Sequence, residues 1–201
     1  MPIDPCLYHF REEGFMQAVL KRGISADAAA VRFAGAAVFL ALTVLSGFIR
    51  FPVPMSPVPV TLQTFFVLLS GACLGGVTGG ASQIGYLALG VLGVPVFSSM
   101  GSGFLYLAGP TGGYMAGFVF AAFLTGHARR HAVSSGIALL ALFLAADAVI
   151  LFSGALWLKI LTGCSIGRSI QIGVMPFIPG DLLKAAGAAA AYRVIRSGNY
   201  F

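Results

Sequence analysis

The 201 residues carry twelve Lys and Arg against six Asp and Glu, a net charge of +6, yet charged residues make up only 9% of the chain and apolar ones 58%. Soluble globular domains average roughly 45–50% apolar residues, so this composition excludes an ordinary soluble fold. A nucleic-acid surface would need a clustered basic stripe, whereas here the basic residues flank apolar runs, as in membrane proteins whose orientation they set.

Residues 1–26 read as a cytoplasmic tail. Arg11, Glu12, Glu13, Lys21 and Arg22 precede the first apolar run, which argues against a signal peptide. Within the tail, Phe10 to Leu20 suits a short interfacial helix, and Ser25 or Asp27 suits the cap of the first membrane helix. Six apolar segments follow in the 27–201 region. They are predicted at Ala28–Ile49, Val60–Leu74, Gly79–Val94, Thr111–Leu124, Gly136–Ile160 and Gly180–Ile195. A β-barrel would show alternation over roughly ten residues, but these runs are continuous. The fold class is therefore an all-α integral membrane bundle of six transmembrane helices, although several segments fall short of the roughly 20 residues of a full span.

Six spans bring both termini to one side. With the N-terminus inside, the inner flanks hold Arg11, Lys21, Arg22, Arg129, Arg130, Arg193 and Arg196, while the outer flanks hold only Arg50, Lys159 and Arg168. The excess predicts cytoplasmic termini. The connections 51–59, 97–109 and 161–179 then emerge outside, while the second and third helices are joined inside by the short Gly75–Thr78 link. Elaborate outer loops suit a protein that receives something from outside.

No nucleophile elbow, His-Glu metal helix or Gly-rich loop ending in Gly-Lys-Ser/Thr is present, so neither an enzyme nor an ATPase finds its residues here. His127 and His131 flank Arg129 and Arg130 as part of a basic anchor, and His9 lies in the tail. Cys6, Cys73 and Cys164 lack metal spacing and read as structural. The informative charges are Asp181 and Lys184, one helical turn apart at the start of the last helix. Such a pair in lipid faces protein or a polar cavity and marks a candidate site. The plain alternative is a helix cap with an intrahelical ion pair.

Asp147, midway along the fifth segment, is a second costly acid. Pro52-Val-Pro-Met-Ser-Pro-Val-Pro59 is too rich in Pro for helix or central strand and suits a stiff lid. Thr61 and Gln63 follow it, either as ligand contacts or as a helix cap and an interhelical bond. Gln83 and Tyr86 are polar groups in an apolar run and face inward; Tyr114 follows two glycines at the start of the fourth segment. Trp157 suits an interfacial anchor. Ala30, Ala34, Ala37 and Ala41 form a small-residue stripe that allows close helix contact, within this chain, with a second copy of it, or with another membrane subunit.

Four motifs in order, Pro57-Val-Pro-Val-Thr-Leu-Gln-Thr64, Leu89-Gly-Val-Leu-Gly-Val-Pro-Val-Phe97, Gly109-Pro-Thr-Gly-Gly-Tyr114 and Pro179-Gly-Asp-Leu-Leu-Lys184, resemble the BioY family, the biotin-binding S-components of energy-coupling-factor (ECF) transporters. The resemblance covers about residues 30–195. It implies a six-helix protein of the bacterial cytoplasmic membrane that captures biotin with high affinity as transported ligand, with no cofactor. It also implies a T-component and a pair of ATPase subunits as partners, with the helix-one alanines as the docking face. Asp181 and Lys184 match the family's Asp-x-x-Lys pair implicated in biotin contact, and Gln83 is the candidate for its mid-chain amide. An S-component or secondary transporter for another vitamin, or a membrane assembly subunit without a ligand, are the alternative readings.

Overall fold

The computed structural model describes residues 28–132 and 135–197. The expected tail, its interfacial helix and the cap at Ser25 or Asp27 lie outside them. The chain divides into two units, residues 1–35 and 36–201, and the division falls inside the first helix, α1 (Ala28–Ser46). The described part of the first unit is the opening of α1, exposed from Ala28 through Ala34.

The second unit begins with the rest of α1 and a two-stranded antiparallel ribbon, β1 (Arg50–Phe51) and β2 (Val60–Thr61), whose connection is the Pro-rich run. Then come α2 (Gln63–Leu74), α3 (Gly76–Val91), a 3₁₀ turn at Ser98–Met100 and the short α4 (Phe104–Leu107). They are followed by α5 (Gly112–Ala132), α6 (Gly136–Thr162), α7 (Ile166–Gly173) and α8 (Ile178–Ser197). Most of the chain is helical, with α5 packing most extensively on α6 and also against α2 and α3. Leu68, Phe118, Phe143 and Leu158 are among the buried core residues of this bundle.

Several boundaries differ from the sequence reading, each for a local reason. The second segment starts not as helix but as β2, because Val60 and Thr61 pair with Phe51 and Arg50. The Gly75–Thr78 link shrinks to Gly75 alone, which at φ 88° adopts a conformation that only glycine takes without strain. The glycines after it belong to α3. That helix ends at Val91 rather than Val94, its last turn closed by Leu92 N–H donating to the Ala88 carbonyl. Helix α5 runs on past Leu124 through the basic cluster. The expected loops 97–109 and 161–179 contain the helices α4 and α7, the latter capped by Ser165 Oγ, which accepts from Arg168 N–H at 3.3 Å.

By length and composition, α1 and α6 are the described helices apolar enough to cross a membrane. Helices α5 and α8 are long but carry charges, and α2 and α3 are short. Arg129 does more than anchor: from α5 its guanidinium donates to the carbonyls of Ala72 and of Cys73, the latter at 2.9 Å, at the C-terminus of α2. Those carbonyls have no partner within their own helix, and a cation there also meets the negative end of the helix dipole.

Candidate ligand-binding site

At the opposite end of the bundle, the starts of α2, α5 and α8 converge beneath the ribbon. Helix α8 opens at Ile178, with Pro179 in the first turn, where its missing N–H costs no helical bond. Asp181 is therefore a first-turn residue rather than the N-cap, and its own N–H donates to the Phe177 carbonyl at 2.9 Å. One turn on, the Lys184 ammonium pairs with Asp181 Oδ1 and donates to the Thr61 backbone carbonyl at 3.0 Å. The two side chains are only 10% and 5% exposed, so each charge depends on the other for compensation. Lys184 thereby fastens β2 to α8.

Gln63, the first residue of α2, has its amide held on three sides. Nε2 donates to the Tyr86 hydroxyl at 2.8 Å and to the Thr43 carbonyl at 3.3 Å, while Oε1 accepts from Thr61 Oγ1 at 3.1 Å. A backbone carbonyl can only accept, so the Thr43 contact decides which way the amide points. Thr61 is thus no helix cap: Leu62 holds that position and no side chain bonds there.

These groups border a narrow cavity of about 520 Å³ counted with its open mouth. Its polar lining includes Asp181, Lys184, Gln63, Thr61, Ser98 and Thr111, and its apolar walls include Val58, Pro59, Phe118, Ile150 and Phe177. Tyr114 also lines it. Its ring lies 5.7 Å from that of Phe177, and its hydroxyl donates to the Gly173 carbonyl at 2.6 Å, tying α5 to the end of α7. The Pro-rich connection covers the cavity through Val58 and Pro59, as a lid would.

Of the residues singled out from sequence, Asp181, Lys184, Gln63, Thr61 and Tyr114 meet at the cavity; Tyr86, Gln83 and Asp147 do not line it. Tyr86 stands behind, as the hydrogen-bond partner of Gln63. Gln83 is fully buried between helices, its Nε2 within 3.2–3.4 Å of the hydroxyls of Ser82, Ser70 and Thr43. Asp147 is buried one turn along α6 from Ile150, and its Oδ1 has no hydrogen-bond partner. Trp157 is half-buried, donates from Nε1 to the Gly109 carbonyl at 2.8 Å and packs against Gly113, so it braces the start of α5.

The contribution of segment 97–109 had no signal in the sequence. Ser99 and Met100 take positive φ values of 64° and 58°, rare for residues with a side chain. They turn the chain back so that Phe97 pairs with Gly101. Ser98 and Tyr106 reach the cavity, with the Tyr106 hydroxyl donating to the Ser98 carbonyl at 2.9 Å.

A model of the BioY family matches residues 18–199. The chain belongs to the BioY family. Among BioY relatives, the probable biotin transporter BioY of Pyrococcus horikoshii is 39% identical over 154 residues, covering 76% of this chain and 88% of the relative. The biotin transporter BioY of Thermotoga maritima is 38% identical over 154 residues, covering 77% and 89%. The crystal structure of an S-component for biotin from an ECF-type ABC transporter superposes with a TM-score of 0.79 at 28% identity, covering 85% of this chain and 93% of the other. The bundle of this BioY protein is thus that of an ECF S-component.

Proposed function

We propose that this BioY protein is the substrate-specific subunit of an ECF transporter, binding biotin with high affinity and admitting it across the cytoplasmic membrane. The observation that carries this reading is the chemistry of the cavity. Biotin presents two ureido N–H groups and a carbonyl, an apolar thioether ring and a carboxylate. The cavity offers acceptors in Asp181 and Gln63, a donor in Lys184, and walls of Phe118, Phe177 and Tyr114. Relatives that share most of the chain bear the name biotin transporter.

In this reading α1, α2, α3, α5, α6 and α8 cross the membrane, with both termini cytoplasmic and the cavity near the outer face. At 1.5 Å per residue, α2 and α3 are about 18 and 24 Å long, short of the roughly 30 Å hydrocarbon core. The ribbon and the 97–109 segment take up the remaining depth, where irregular backbone is tolerated because it lines a cavity. The protein is a binding subunit without a reaction of its own, and ATP hydrolysis belongs to partner subunits.

Saturable binding of radiolabelled biotin to the detergent-purified protein, undiminished by excess thiamine or riboflavin, is the expected result. Displacement by another vitamin at equal concentration would replace biotin with that ligand.

Ala37 and Ala41, in the second unit, are exposed on α1, which supports the reading of the alanine stripe as the face that meets the T-component. Ala37→Trp is expected to reduce co-purification of a co-expressed T-component several-fold, because close helix contact depends on small residues, while biotin binding is retained. Unchanged co-purification would remove the stripe from the interface.

A further inference from the structure

A second cavity, about 950 Å³ counted with its mouth, adjoins the first between the Pro-rich connection and the 99–111 segment. Pro59, Tyr106 and Thr111 line both. Arg50 is the one charged side chain in the lining of this outer cavity, and its Nη1 donates to Ser99 Oγ. Arg50 pairs with Thr61 across the ribbon, and directly opposed residues project on the same face. The guanidinium therefore shares a face of the ribbon with a residue of the inner cavity.

The two cavities differ in what they can offer an anion. In the inner one Lys184 is neutralised by Asp181, and both hydrogens of the Gln63 amide are taken by Thr43 and Tyr86. Gln63 thus presents only its oxygen there. A carboxylate placed beside it would meet two acceptors and one already compensated cation. In the outer cavity Arg50 is bonded to a neutral hydroxyl, and the described residues contain no acid besides Asp147 and Asp181, neither of which lines that cavity. A guanidinium matches a carboxylate bidentately.

We propose that the outer cavity is a carboxylate subsite in which Arg50 receives the acid end of the ligand while its uncharged N–H-donating end occupies the inner cavity. The ligand class is an amphipathic molecule with a cyclic N–H donor at one end and a carboxylate at the other. This assignment rests on the biotin reading of the inner cavity and gives the ligand a direction within it.

The test measures binding of biotin and of its methyl ester to the unsubstituted protein, Arg50→Gln and Arg50→Lys in detergent. Arg50→Gln is expected to weaken biotin by roughly tenfold or more, the scale of a hydrogen bond between charged groups, and to change ester binding by less than about twofold. Arg50→Lys keeps the charge but not the planar fork, so it is expected to retain a reduced preference for acid over ester, and it carries the test if Arg50→Gln does not fold. Equal losses for acid and ester in either variant, or no loss for either ligand, would overturn the assignment while leaving biotin as the ligand. Absence of saturable biotin binding by the unsubstituted protein would overturn the biotin reading and this assignment with it.

Discussion

Replacing Lys184 by Ala is expected to abolish measurable biotin binding and to destabilise the protein by about 3–5 kcal/mol, the cost of leaving a buried charge without its partner. Asp181→Asn is expected to act in the same direction, since Lys184 would keep only neutral acceptors, the new amide oxygen and the Thr61 carbonyl, with no charge to compensate it. The two effects separate in the double variant Asp181→Asn with Lys184→Met. Removing both charges recovers much of the stability lost by either alone, because no uncompensated ion remains. Binding is not recovered, because the cavity then lacks both its cation and its anion. Thermal unfolding in detergent read beside biotin titration distinguishes the outcomes. A double variant that regains both stability and affinity would reduce the pair to a structural device of α8.

Gly71→Val is expected to prevent assembly of the bundle, at a cost above about 3 kcal/mol, the upper end for an overpacked interior. A Cβ at Gly71 would run into the Ala122 carbonyl oxygen and Thr125 Oγ1 of α5. Across α3, a Cβ at Gly79 would stand 2.7 Å from the Gly71 Cα. The obstructing atoms are mostly backbone, which cannot rotate aside as a side-chain tip can. Helices in lipid gain their association from such close packing, so loss of monodisperse protein on size-exclusion chromatography is the readout. A monodisperse variant with unchanged melting temperature would show that α2 and α5 tolerate separation.

The parts of the site legible in the sequence were those where scarcity made a residue conspicuous. Asp181 and Lys184 stood out because almost nothing else in the apolar region is charged, and Thr61, Gln63 and Tyr114 because they follow Pro or Gly punctuation at segment starts. Gln83 shows where that logic stops. A polar side chain in an apolar run does turn inward, but inward includes the seam between helices, where Ser70, Ser82 and Thr43 receive it. Ser98 and Tyr106 were illegible for the opposite reason. Hydroxyls in a Gly/Ser-rich loop are unremarkable until two positive-φ residues fold that loop over the cavity. The link after α2 is shorter than the sequence suggests because Gly75 alone makes the turn, while Gly76 already opens α3, where a Cβ would run into His127 of α5.

The fastening of the ribbon by Lys184 sets a simple stoichiometry at the cavity. An ammonium has three N–H bonds. One is directed to Asp181 and one to the Thr61 carbonyl, so one remains. A ligand acceptor that takes this third hydrogen completes the ammonium's set without displacing either partner. A guest bound in that way would leave the ribbon clasped to α8, with arrival and retention both served by a single nitrogen.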